Sequence, residues 1–170
     1  SLHQDNFYPN DSGHLERNGS GAGLGYNINV PLPPGSGVGA YQHAFQRVVI
    51  PALYRFRPEL IVIASGFDAS GVDPFGRMMM HSEGYRSLTR MLLQAAGDLC
   101  GGRIVAAHEG GYSPWLTPYC GLAVMEELSG VRTSIADPFL PIMQAWGYQE
   151  LQPHQAQVID KAAALVERIA

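Results

Sequence analysis

Two short apolar runs, each ending abruptly in glycine and a reactive side chain, constrain this chain most. The first is Ile61-Val-Ile-Ala-Ser-Gly-Phe-Asp68-Ala-Ser-Gly-Val-Asp73-Pro74. The second runs from Arg103 through Ala107 into His108-Glu-Gly-Gly-Tyr112. An open α/β sheet presents chemistry in this way. The strand buries, its carboxyl end stops at the surface, and the residue just past the end faces a crevice. Asp68 and Tyr112 stand at those ends, one suited to ligate a metal and the other to hydrogen-bond an oxyanion.

The segments around these runs read as helices and turns. Tyr41, Ala44, Phe45, Val48, Ala52 and Phe56 fall at helical spacing over 39–56, with Pro51 set to kink or restart the helix and Pro58 to end it. Leu60–Ala64 and Arg103–Ala107 read as strands buried on both faces. Ser82 is the expected N-cap of a helix over 83–98 whose inner stripe is Tyr85, Leu88, Met91/Leu92 and Ala95, and Gly101-Gly102 ends it. Further helices are expected over Trp115–Leu128, from Asp137-Pro138 to Trp146, and onward from Pro153. Alternation at Tyr26, Ile28 and Val30 suggests another strand. Alternating helices and strands give α/β with parallel strands. A parallel sheet needs more strands than these, covered on both faces, so the pattern reads as part of a larger α/β domain.

Length and composition allow one domain with a core: 170 residues, 46% hydrophobic and 15% charged. The net charge of -4 and the lack of a Lys/Arg run exclude a nucleic-acid footprint, and no apolar run is long enough to span a membrane. Cys100 and Cys120 lack metal-site or disulfide spacing and read as buried thiols in a reducing, cytoplasmic setting. The chain opens Ser1-Leu2-His3-Gln4 without an initiator methionine, a basic segment or an apolar segment, which reads as the middle of a longer protein. Gly19-Ser-Gly-Ala-Gly-Leu-Gly25 is a loop rather than a dinucleotide fingerprint, because no apolar strand precedes it and no helix follows.

From the residues alone, Asp68 divides evenly between an Asx-type turn and a metal ligand. Asp73, before Pro74, reads as a turn organiser. His108 reads as a packed, hydrogen-bonded histidine, and Met78-Met79-Met80 as core or pocket lining. Gly110-Gly111-Tyr112 reads either as a turn with an aromatic lid, or as two glycines that let backbone approach a substrate and a tyrosine hydroxyl that donates a hydrogen bond to it. A catalytic zinc takes three protein ligands and water, and only one candidate ligand is present.

At these residues the chain resembles the zinc-dependent histone deacetylase family, which shares the arginase–deacetylase fold with acetylpolyamine amidohydrolases. The carriers are Ser1-Leu2-His3-Gln4, Phe7-Tyr8-Pro9, Asn27-Ile-Asn-Val-Pro-Leu-Pro33, Ser65-Gly-Phe-Asp68-Ala69 with Asp73-Pro74, and Glu109-Gly-Gly-Tyr112. Gly-Phe-Asp-Ala and Glu-Gly-Gly-Tyr look most like the class II and bacterial branch. The resemblance implies a three-layer α-β-α domain with a mainly parallel sheet, of which residues 1–170 form the carboxy-terminal part. It implies that Asp68 is a zinc ligand and that Tyr112 is catalytic, bonding the scissile carbonyl and its oxyanion. Phe7, Tyr8 and Phe75 would wall a narrow acyl-lysine channel beside Gly111. Ser1 and Leu2 would ligate a monovalent cation (K⁺ or Na⁺), and Tyr26 a second one.

The implied activity is zinc-assisted hydrolysis of acyl groups, chiefly acetyl, from lysine side chains or related amines. The family's paired catalytic histidines and its Asp-x-His zinc ligands are absent from these 170 residues. The chain by itself is therefore expected to bind zinc poorly, to be inactive, and to need the amino-terminal half as its partner, with self-association possible. The alternatives are a non-catalytic remnant or interaction module of the same fold, and an acetylpolyamine amidohydrolase.

Overall fold

A computed structural model describes residues 1–169. Their strands form two separate two-stranded parallel sheets. Strands β1 (Leu2–Gln4) and β2 (Val30–Leu32) make one, in register Leu2↔Val30 through Gln4↔Leu32. Strands β3 (Ile61–Ser65) and β4 (Ile104–His108) make the other, from Ile61↔Ile104 to Ser65↔His108. Parallel pairing, with a long helix over Ser82–Cys100 between β3 and β4, confirms the α/β class.

The strand expected at 26–30 begins only at Val30 and joins β1 rather than the β3–β4 sheet. Polar side chains take the stretch before it. Asn27 Nδ2 donates to Arg17 O at 2.6 Å, and Asn29 Nδ2 donates to His14 O at 2.9 Å. These bonds hold a loop where a ladder was expected. Pro31 sits inside β2 without loss. The ladder bonds run from Val30 N to Ser1 O and from Asp5 N to Leu32 O, so the missing donor falls on the side away from β1.

The segment 39–56 is helical throughout, as α1 (Val38–Ala44), one π-helical turn (Phe45–Val49) and α2 (Ile50–Phe56). The π turn lies just before Pro51, where a regular helix would leave a carbonyl without its donor. Helix α3 (Ser82–Cys100) is capped by His81, not Ser82: the Gly84 amide donates to His81 Nδ1 at 3.3 Å. The Ser82 hydroxyl instead donates to Asp137 Oδ2 at 2.5 Å. Gly101 ends α3 at φ 60, a left-handed position that suits glycine. Helix α4 (Thr117–Ser129) stops at Gly130, also left-handed. Helix α5 (Leu140–Gln144) is short, and α6 (Pro153–Val166) opens with Pro153 and a reciprocal Gln152–Gln155 cap.

One core cluster gathers β2, α1, α3, α4 and α6 around Leu32, Met80, Leu116 and Ile159. A smaller one seats Ile61 of β3 on Ala96 and Cys100, with Leu53, Ile63 and Ile104 packed against it. Helices α2 and α3 thus cover one face of the β3–β4 sheet. The expectation of strands buried on both faces fails. Val62 and Val105, which point the other way, are 66% and 54% exposed, because no described element packs on that face. Both cysteines are buried and free, as expected.

Candidate functional site

The ends of β3 and β4 stay paired beyond the last strand residues. The Glu109 amide donates to Ser65 O at 3.1 Å, and the Phe67 amide donates to Gly110 O at 2.7 Å. The two turns that carry Asp68 and Tyr112 therefore lie side by side. Phe67 points inward. It is buried edge-on against Tyr85 at 5.2 Å and also meets the His108 ring. With Phe67 anchored, the next residue, Asp68, is turned outward. His108 itself is exposed, not the packed histidine that the strand pattern suggested, because it stands at the open end of β4.

The Asp68 carboxylate rests in a cradle of two glycines, one just past the end of β3 and the other just past the end of β4. A Cβ added at Gly110 would overlap Asp68 Oδ2 and lie 2.8 Å from Cγ, and one at Gly66 would lie 3.1 Å from Oδ1. Gly111 has φ +131, and a Cβ there would meet Phe67 Cβ at 2.9 Å, so both space and backbone demand glycine. Partial burial, and secondly the nearby charge of Asp73, raise the Asp68 carboxyl above its ordinary range. Such a carboxylate gains from a neighbouring cation.

Tyr112 is 55% exposed, and its ring meets Phe75 edge-on at 5.0 Å. Neither Asp68 nor Tyr112 is turned into the interior. Asp73 was expected to organise its own turn, and it does: Oδ1 accepts from the Phe75 and Gly76 amides at 2.9 and 3.0 Å. Its Oδ2 does more, accepting from the Tyr112 amide at 2.8 Å. The Asp-Pro pair signalled the local turn, but nothing in the spacing signalled the second bond, which depends on the β3–β4 pairing.

Phe7 and Tyr8 are exposed, on a segment tied to the same loop where the Arg77 amide donates to Gln4 Oε1 at 2.7 Å. Of the expected channel residues, Phe75 and Gly111 lie with Tyr112. Phe7 and Tyr8 stand on the neighbouring surface. Ser1, Leu2 and Tyr26 line one cavity of 260 Å³ with apolar walls that include Val30 and Phe56. Ser1 Oγ lies 3.0 Å from His3 Nδ1, and Tyr26 stacks edge-on with Phe56.

Among the described residues, no three His, Cys, Asp or Glu side chains gather closely enough to hold a metal. Asp68 offers one carboxylate to such an ion. The residues present do not make a whole site.

The histone deacetylase domain profile matches residues 1–128. The chain is 51% identical over 138 residues to the histone deacetylase-like amidohydrolase of Pseudomonas aeruginosa, a match covering 81% of this chain and 36% of that protein. It is 36% identical over 145 residues to a probable deacetylase of Archaeoglobus fulgidus, covering 83% of this chain and 40% of that one. The solved structure of histone deacetylase Clr3 superposes with a TM-score of 0.81 at 29% identity, over 99% of this chain and 27% of Clr3. The chain thus spans well under half the length of these relatives. Its fold is that of part of an arginase–deacetylase domain. Glycine-cradled aspartate, paired strand ends and matched profile agree, and the chain belongs to the histone deacetylase family.

Proposed function

We propose that this chain is the carboxy-terminal part of a zinc-dependent amidohydrolase that removes acyl groups from lysine side chains or related amines. Asp68 would be one zinc ligand, and Tyr112 the hydroxyl that bonds the scissile carbonyl. The observation that carries this reading is the Asp68 carboxylate held open between Gly66 and Gly110, next to the strand end that bears Tyr112. When bound, zinc supplies Lewis-acid polarisation of the amide carbonyl and an activated water.

The chain's own residues do the rest of their side of the site. The glycines keep Asp68 Oδ1 and Oδ2 clear of other side chains. The Tyr112 phenol, exposed and steadied by the Phe75 edge, is free to donate to substrate oxygen as charge develops there. Phe75, with Phe7 and Tyr8 on the neighbouring surface, offers apolar contact to a thin aliphatic stem, which gains by leaving water. Ser1, Leu2 and Tyr26 are assigned to monovalent-cation sites. The remaining zinc ligands and a histidine base are assigned to the amino-terminal half of the domain.

Two samples test this. Titrated with zinc, the purified chain alone should bind weakly and should not hydrolyse an acetyl-lysine peptide. Tight one-to-one zinc binding by the lone chain would refute the proposed division of ligands. Fused behind the preceding part of the Pseudomonas aeruginosa amidohydrolase, the chain should hydrolyse that peptide, and Asp68→Ala should abolish both zinc retention and turnover. An inactive, well-folded fusion would favour a non-catalytic module.

A further inference from the structure

Asp73 is not among the residues assigned to zinc or substrate, yet its carboxylate bonds to both walls of the site. The side chain is buried, and both of its oxygens are used. Oδ1 accepts two amides of the loop carrying Phe75, and Oδ2 accepts the amide of Tyr112, thirty-nine positions away. The aromatic rings of the two residues so joined meet edge-on at 5.0 Å. An exposed tyrosine on a glycine-rich turn has few other restraints. Gly111 before it lies at φ +131, and the side chain of Tyr112 is more than half exposed.

We propose that Asp73 is a positioning residue for Tyr112. By accepting the Tyr112 amide with one oxygen while anchoring the Phe75 turn with the other, it fixes the phenol relative to the apolar wall of the acyl channel. The inference rests on the proposed role of Tyr112 and goes beyond it, since a turn-forming aspartate alone has no need of the second bond. A carboxylate is required because three N–H donors converge on it. An asparagine in the same place keeps one acceptor oxygen for the Phe75 turn and turns an NH₂ toward the Tyr112 amide, setting donor against donor. A displacement of about 1 Å at a catalytic group costs up to about a hundredfold in rate.

Hydrogen exchange at single-residue resolution and kinetics in the fused enzyme test this together. In the unmodified protein the Tyr112 amide should exchange slowly although its side chain is exposed, and in Asp73→Asn it should exchange freely. Exchange of the unmodified Tyr112 amide as fast as that of open loop amides overturns the proposal, whether or not any variant folds. In the kinetics, Asp73→Asn should lower kcat about ten- to a hundredfold with KM changed less than about twofold. The same substitution on a Tyr112→Phe background should lower kcat no further. An equal loss on both backgrounds means that Asp73 only stabilises the fold, and the proposal falls. A parent fusion without activity defeats the proposed function, while the exchange result still decides the role of Asp73.

Discussion

Gly110 has no side chain because the Asp68 carboxylate occupies the place that one would take. The glycine acts at a distance from its own backbone needs, by leaving room. Gly110→Ala should therefore push Asp68 out of its cradle. The expected result in the fused enzyme is loss of zinc retention and at least tenfold lower kcat/KM, with a much smaller change in melting temperature. Metal content after dialysis and a thermal scan separate the two effects.

A second residue, Glu126 in α4, contributes to the acid response of the fold. Hydrogen bonds from the Thr133 hydroxyl and amide, then from Arg86, bring its carboxyl from the ordinary 4.5 down to about 2. A carboxyl lowered in the folded state adds stability that is complete above the unfolded value and is lost as pH falls toward the folded one. The melting temperature should thus fall between about pH 4.5 and 2. In Glu126→Gln that part of the decline should be absent. A variant curve parallel to the parent's over this window would show that the carboxylate is not the titrating group.

At the scale of elements, close backbone approach decides what propensity cannot. Gly39 lies within α1, where alanine would ordinarily gain about 1 kcal/mol. A Cβ there would stand 2.5 Å from Leu151 N and 2.8 Å from Glu150 C, both backbone atoms that cannot swing away. Overpacking of this kind costs about 1–3 kcal/mol. The Gly39 amide also donates to Gln149 O at 2.8 Å, a bond worth about 1 kcal/mol that the clash would stretch. The cost exceeds the gain, and Gly39→Ala should destabilise by about 1–3 kcal/mol in a denaturant titration. A midpoint unchanged or raised would show that the 149–151 segment moves aside.

The same scale shows how much the sequence disclosed. The inner stripe of α3, the glycine stops of α3 and α4, and Pro153 at the head of α6 were all legible, because each is set within one helical turn. The sequence places the cap of α3 one residue late, at Ser82, because His81 and Ser82 can both accept from the first turn. Ser82 was then drawn away by Asp137, which no local pattern reveals. Alternation predicts a strand at 26–30 because it counts apolar positions and cannot see that Asn27 and Asn29 have carbonyl partners upstream.

For the molecule as a whole, the unbalanced feature is the bare face of the β3–β4 sheet, with Val62 and Val105 both more than half exposed. Two strands with one open apolar face and free edges invite pairing and apolar contact. The lone chain should therefore self-associate, and Val62→Lys with Val105→Glu should shift it toward monomer in sedimentation velocity. A parent chain already monomeric at high concentration would show that the face is not adhesive. Among the described residues, no helix is long and apolar enough to cross a membrane.

The sequence by itself determined the two strands, the outward aspartate and tyrosine at their ends, and the family to which they belong. The strands and the residues at their ends follow from apolar runs and glycine stops, which are properties of neighbours in the chain, and the family follows from the resemblance of its motifs. Only the tertiary structure decided that Gly66 and Gly110 share one carboxylate and that Asp73 reaches the Tyr112 amide. Those relations pass through the parallel register of β3 and β4, which brings Asp73 and Tyr112, thirty-nine positions apart, within hydrogen-bond reach and has no counterpart in local sequence.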